Sequence, residues 1–232
     1  MGGIPVAEQL FGVVNRWGKL PITLYPNNYT DLMPIEDMSM VPNASNPGRT
    51  YKYYAGPVLY PFGYGLSYTT FSLAGSCNTS AATFVTGTPL LLSVGHLHAT
   101  NAPKDPVVSC SVQVTNTGSR AGDEVVIVFT GPNATTVAEA RSLYGLPDND
   151  PLAIKQVVDF ARVTLAAGAS TTLYFNLALR SFVQVDSSGQ LVIYKGPHAV
   201  RIGRGVGNHD DVIVPLIVSE TVTLRGAIDF SL

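Results

Sequence analysis

The chain has 232 residues, enough for one large domain or for one domain with part of another, and 46% of them are hydrophobic, so it can bury a core. Its 14 basic residues nearly balance 16 acidic ones, and no basic stripe of the kind nucleic acid requires is present. The longest apolar runs, at 89–94 and 212–218, are too short to cross a hydrocarbon layer of about 30 Å as helices. Neither a nucleic-acid partner nor a membrane is therefore expected.

In chain order, MGGIPVAEQLFG lacks a basic segment followed by a long apolar stretch and does not read as a secretory leader. Residues 5–11 read as the last turns of a helix, with Val6, Leu10 and Phe11 at helical spacing and Gly12 as the stop. Residues 20–25 look extended. From 26 to 56 there is little periodicity. Such a segment offers no apolar face to offset its chain entropy and should wrap over the surface of something else. Strand candidates follow at 67–73 and 90–97, separated by a Ser/Thr/Gly-rich stretch.

Beyond residue 106 strand patterns dominate. Val108, Cys110, Val112 and Val114 alternate with polar residues, the period of a half-buried strand, and Asn116-Thr117-Gly118-Ser119 supplies a turn. Further strands are expected at 125–129, 157–163, 173–177, 182–185, 191–194 and 198–202, with Asp186-Ser187-Ser188-Gly189 as a hairpin signal. Six or seven short strands with turns between them argue for a β-sandwich.

Four glycosylation sequons, at Asn28, Asn43, Asn78 and Asn133, lie in turn-like contexts and point to an extracellular or cell-wall location. A secreted chain without a leader implies that its true beginning is missing. Cys77 and Cys110 form no metal or redox motif. Cys110 reads as a small core residue, and a Cys77–Cys110 disulfide in an oxidising compartment is the alternative.

The run Gly48-Arg49-Thr50-Tyr51-Lys52-Tyr53-Tyr54, followed by Pro61-Phe62-Gly63-Tyr64-Gly65-Leu66-Ser67-Tyr68-Thr69-Thr70-Phe71, resembles family 3 glycoside hydrolases at the handover from α/β domain to fibronectin-like domain. Gly18-Lys19-Leu20-Pro21-Ile22-Thr23 is similar to that family's GKLPxT segment. Val114-Thr115-Asn116-Thr117-Gly118 with Gly122-Asp123-Glu124-Val125-Val126 is similar to its VTNTGxRxGDEVV signature. Tyr29, Met33-Pro34 and the Met38/Met40 pair resemble the plant-type β-xylosidase branch. The pattern departs at Arg16-Trp17 and Val41, and 81–105 has no counterpart. The resemblance implies a mainly β fold: residues 1–66 the tail of the α/β domain and an interdomain clasp, 67–232 a fibronectin type III-like sandwich. It also implies a secreted, exo-acting β-glycosidase parent, of β-xylosidase or β-glucosidase type, working in xylan breakdown without a cofactor. Its nucleophile Asp and acid/base Glu would lie upstream of everything matched here. The upstream catalytic domains are the expected partners, and oligosaccharide is met only through them.

In keeping with that, no catalytic, cofactor or metal residue is assigned. Retaining hydrolysis needs two carboxylates about 5–5.5 Å apart. The adjacent pairs Glu36/Asp37, Asp123/Glu124 and Asp210/Asp211 point to opposite faces of extended chain and read as solvated or turn-forming, with Asp123 bracing the turn after Gly122. His96 and His98 lack a third ligand. Asp148-Asn149-Asp150 lacks the glycine and distal Glu of a calcium loop. The glycines at 203, 205 and 207 open no helix. The stretch from Gly65 to Thr69 lacks the second glycine of a nucleophile elbow. Arg49 is a candidate partner for a carboxylate of the upstream domain. The aromatic cluster reads as packing, with a sugar subsite at a tyrosine or Trp17 as the sharper reading. Against the fragment reading stands a stand-alone carbohydrate-binding or adhesion module, which would retain polysaccharide by itself.

Overall fold

The computed structural model describes residues 2–79, 90–92, 106–204, 212–218 and 222–224. Two facing sheets carry the core. One has strand order β1-β3-β6, from Phe71–Thr79, Pro106–Asn116 and Ser170–Ala178. The other runs β2-β10-β9-β4-β5, from Leu90–Leu92, Val212–Val218, Gly196–Gly203, Gly122–Pro132 and Gln156–Leu165. A small third sheet joins β11 (Val222–Leu224), β8 (Leu191–Ile193) and β7 (Gln184–Val185). Among the described strands pairing is antiparallel except between β10 and β2. The fold is mainly β, an immunoglobulin-like sandwich preceded by a leading segment of short helices and irregular chain.

The alternation in β3 works as its pattern requires. Val108, Cys110, Val112 and Val114 turn into the core with Phe175 and Leu177 of β6, against Val126, Val128, Val200 and Ile202 of the opposing sheet. Each such side chain contributes about 1.5–3 kcal/mol on burial. The unbroken apolar run of β4 has a different cause. This strand lies between β9 and β5, with Val126 and Val128 on the inner face and Ile127 and Phe129 covered on the outer one. A strand buried on both faces has no polar side to alternate with.

Cys77 and Cys110 sit opposite each other across β1 and β3 and are disulfide-bonded. The buried position expected of Cys110 is observed, but as half of this bond rather than as a free thiol. The strand expected at 67–73 begins only at Phe71, and 182–185 divides into a 3-10 turn, Leu179–Phe182, and β7. Of the strand at 90–97, residues beyond 92 lie outside the described ones.

A helix not anticipated, α3 (Val137–Tyr144 in chain order after α1, Gly3–Leu10, and α2, Thr50–Tyr53), packs Val137 and Ala140 on Leu152, Ile154, Val192 and Tyr194. Thr136 Oγ1 accepts from the Glu139 N–H at its start, and Gly145, with φ 66°, ends it.

Candidate functional site

The sequence signatures that are far apart in the chain meet in space. Asn15 is the hub. Its Nδ2 donates to the Ala121 carbonyl (3.1 Å), while its Oδ1 accepts from Ser67 Oγ and the Tyr68 N–H (both 3.2 Å). Its own carbonyl accepts from the Asp123 N–H (3.1 Å). Gly122 leaves room for this side chain: a Cβ there would stand 2.3 Å from Asn15 Nδ2 and displace it. Asn116, fully buried, is satisfied on all sides. Oδ1 accepts from Thr69 Oγ1 (2.7 Å) and the Gly118 N–H (3.1 Å), and Nδ2 donates to the Arg120 and Leu165 carbonyls (2.7 and 3.1 Å).

The extended segment near residues 20–24 pairs with 59–64 through Leu20 N–H to Tyr64 O, Gly63 N–H to Leu20 O and Leu24 N–H to Tyr60 O, at 2.8–2.9 Å. Gly63 takes φ 82°, and a Cβ on Gly65 would meet the Gly18 carbonyl at 2.9 Å. Lys19, carried by this segment, places Nζ 2.7 Å from Glu124 Oε1, with both side chains largely buried. Together these contacts fasten the leading segment across one end and one face of the sandwich.

Aromatic rings finish the attachment. Tyr51 stacks on Phe62 (centroids 4.3 Å apart), and both lie edge-on to Phe129 of β4. Tyr25, Tyr29 and Tyr54 form a second group; burial first, then the neighbouring Tyr25, pushes the Tyr29 hydroxyl up to about 12. Trp17 meets Tyr68 edge to face. Thr50 holds φ 61°, uncommon for a β-branched residue, with its N–H donating to the Tyr25 hydroxyl at 2.5 Å. Between this strap and the outer face of the larger sheet lies an open cleft of about 920 Å³ edged by Tyr54, Tyr60, Glu139, Lys155 and Arg201.

Several carboxylates are engaged in structure. Asp123 receives two bonds from Arg162 (2.7 and 2.8 Å) and one from Thr164 Oγ1, which braces β4 against β5 rather than the preceding turn. Both members of the Asp123/Glu124 pair do point apart, but both are buried and paired, which corrects the solvated reading. Asp37 accepts from Asn43 Nδ2, the Ser39 N–H and Ser45 Oγ, and these bonds, Asn43's foremost, hold its carboxyl below the usual range. Glu36 is exposed. Asp150 is buried, and desolvation raises its carboxyl against the opposing bond from Tyr194. Arg49 donates from Nη2 to the Asp37 carbonyl. Asp210/Asp211, His96, His98, Gly205 and Gly207 lie outside the described residues. Among the described residues no three His, Cys, Asp or Glu side chains gather as metal ligands.

One uncovered surface stands out. Ile4, Val6, Leu10, Phe11 and Val13 along and after α1 are 58–86% exposed, and α1 buries none of its residues.

Comparison with known proteins agrees with this architecture. A model of the fibronectin type III-like domain matches residues 124–206. Beta-D-xylosidase 1 of Arabidopsis thaliana is 35% identical over 215 residues, 87% of this chain and 26% of that protein. The solved structure of a family 3 exo-β-xylosidase, XlnD, bound to a xylobiose aziridine probe superposes with TM-score 0.76 at 26% identity, covering 99% of this chain and 28% of that one. The chain belongs to the carboxyl-terminal part of glycoside hydrolase family 3. The exo-1,4-β-xylosidase bxlB of Emericella nidulans shares 32% identity over 206 residues, again 87% of this chain and 24% of that protein. This family 3 chain therefore spans about a quarter of the length of the curated relatives it matches. The β-D-glucoside glucohydrolase of Trichoderma reesei shares the fold, with TM-score 0.62 at 22% identity over 94% of this chain and 29% of that one.

Proposed function

We propose that this chain is the structural carboxyl-terminal part of a secreted, exo-acting β-xylosidase, and that hydrolysis is carried out by upstream domains. The observation that carries the reading is the pairing of an uncovered apolar face on α1 with carboxylates tied into structural bonds. Asp123 and Glu124, the acids nearest the family signature, are both committed to cations. An apolar face of that kind marks a docking surface, and upstream catalytic domains of the same parent are its natural occupant. On this reading residues 1–66 are the tail of the α/β domain with its clasp, and glycosidic bonds are cleaved in the parent's active site rather than by this segment. The exposure of Asn28, Asn43, Asn78 and Asn133, and the Cys77–Cys110 bond, support passage through an oxidising, glycosylating compartment.

The test has two arms. The isolated chain should not hydrolyse aryl β-xylosides or β-glucosides, and turnover abolished by replacing one of its own carboxylates would sink the reading. Fused behind the upstream three-quarters of the Arabidopsis relative, it should support hydrolysis of an aryl β-xyloside. A soluble, folded fusion without activity would count against it equally.

A further inference from the structure

The outer face of the β1-β3-β6 sheet has an unusual composition. Its central rows, read across the three strands, are Ser76–Ser111–Tyr174 and Asn78–Ser109–Asn176. The rows toward Gln113 and Thr115 continue in Ser, Thr and Gln with one Ala. No outward position of these rows carries a charge, although charged side chains ordinarily make up about a quarter to a third of a protein surface. One aromatic side chain rises from this field: Tyr174, 74% exposed. The other sheet is quite different, with Arg162, Asp123 and Arg201 on its outer side and the strap lying over part of it.

We propose that this face binds a neutral polysaccharide chain of the xylan or glucan type. The chemistry selects that partner. An acidic polymer needs cations, and among the described residues these rows have none. A lipid or protein partner needs a contiguous apolar patch, and a lone tyrosine among hydroxyls is not one. A neutral polyol asks for hydroxyl and amide groups that both donate and accept, with no charge to strip of water. The exposed ring supplies an apolar plane for the C–H face of a pyranose and a hydroxyl at its rim. The side chains are also partly pre-set: Ser109 Oγ donates to Asn176 Oδ1, and Thr115 and Ser170 share a hydrogen bond, each at 2.8 Å. Binding here needs no catalytic carboxylate and does not rest on the proposed role in the parent enzyme.

Affinity electrophoresis of the full chain tests it, with protein made in a host that leaves Asn78 unglycosylated, so that a glycan cannot occupy the face. Gels would contain neutral xylan, neutral β-glucan or polygalacturonate. We expect retardation by a neutral polymer and not by polygalacturonate. Tyr174→Ala should weaken it about ten-fold, the loss of an aromatic contact of about 1.4 kcal/mol. Phe160→Ala, a similarly exposed ring on the other sheet, should leave it unchanged, with both variants keeping the wild-type urea midpoint. The proposal is overturned by no retardation in either neutral gel, by retardation in polygalacturonate alone, or by retardation that survives both Tyr174→Ala and Ser111→Glu. Sedimentation showing a dimer abolished by Tyr174→Ala would overturn it in favour of a second copy of the chain. None of these outcomes bears on the hydrolysis assay of the fusion protein.

Discussion

His198 should make the sandwich sensitive to acid in a calculable way. It lies 1% exposed on β9, with Nε2 2.7 Å from the Tyr194 carbonyl and the ring stacked on Tyr144 of α3 at 5.1 Å. Nδ1 is buried without a hydrogen-bond partner, so a second ring proton would have no acceptor. Burial pulls the imidazole down from 6.5 to about 4, against the smaller opposing effect of the Tyr194 bond. The unfolded chain then binds the proton first, so stability is full above pH 6.5 and falls as the pH drops toward 4. Linkage gives a loss of about 1.4 kcal/mol at pH 5.5 and about 2.6 kcal/mol at pH 4.5. Other groups titrate in the same range, so the quantity to measure is the difference between wild type and His198→Gln. Urea midpoints at pH 7, 5.5 and 4.5 should show wild type losing those amounts relative to the variant. A difference that stays constant across that range, or an NMR titration of His198 near 6.5, would refute the reasoning.

Asn116→Ala should cost about 3 kcal/mol, because it leaves Thr69, Gly118 and two carbonyls unpaired in a dry site; chemical denaturation measures it. Glu124→Gln should destabilise the attachment of the leading segment by about 3 kcal/mol, and the double change with Lys19→Met and Glu124→Leu should recover most of the loss. Limited proteolysis reads this out as faster cutting before residue 66 while the sandwich persists. Replacing both Cys77 and Cys110 by Ala should lower stability by about 3.7 kcal/mol, the chain-entropy value for a separation of 33 residues. An unchanged urea midpoint in that double variant would show that the bond does not constrain the unfolded chain.

Much of the sandwich was legible because its strands follow simple periods. The alternation from Val108 to Val114 and the hairpin at Asp186–Gly189 translate directly into β3 and the β7–β8 pair, where Asp186 Oδ1 accepts from the Ser188 and Gln190 N–H groups. What escaped was set by tertiary contacts. Ser67 to Thr69 look like strand but spend their polar groups on Asn15 and Asn116, so β1 starts late. Helix α3 is short and buries only Val137, Ala140 and Arg141, too little for its period to show. Its signals were nevertheless present, as Thr136 three residues before Glu139 and Gly145 at the stop. The acids at 123 and 124 read as solvated because their partners, Arg162 and Lys19, are remote in sequence. No local pattern announces a cation arriving from another element.

The recognisable signatures of this chain lie where remote segments touch, which explains their residue types better than a reactive role would. Gly122 is small because Asn15 crosses it, and Lys19 is cationic because Glu124 waits beneath it. A buried ion pair contributes little net stability over an apolar pair of the same shape, yet mispairing either member is costly. We therefore assign the Lys19–Glu124 contact the task of fixing where the leading segment lies rather than how tightly it is held. The backbone bonds between residues 20–24 and 59–64 then carry that register along the strap, and the Asn15 hub carries it to the sandwich turn. The apolar face running from Ile4 to Val13 is consequently presented in one orientation by contacts that the sandwich itself dictates.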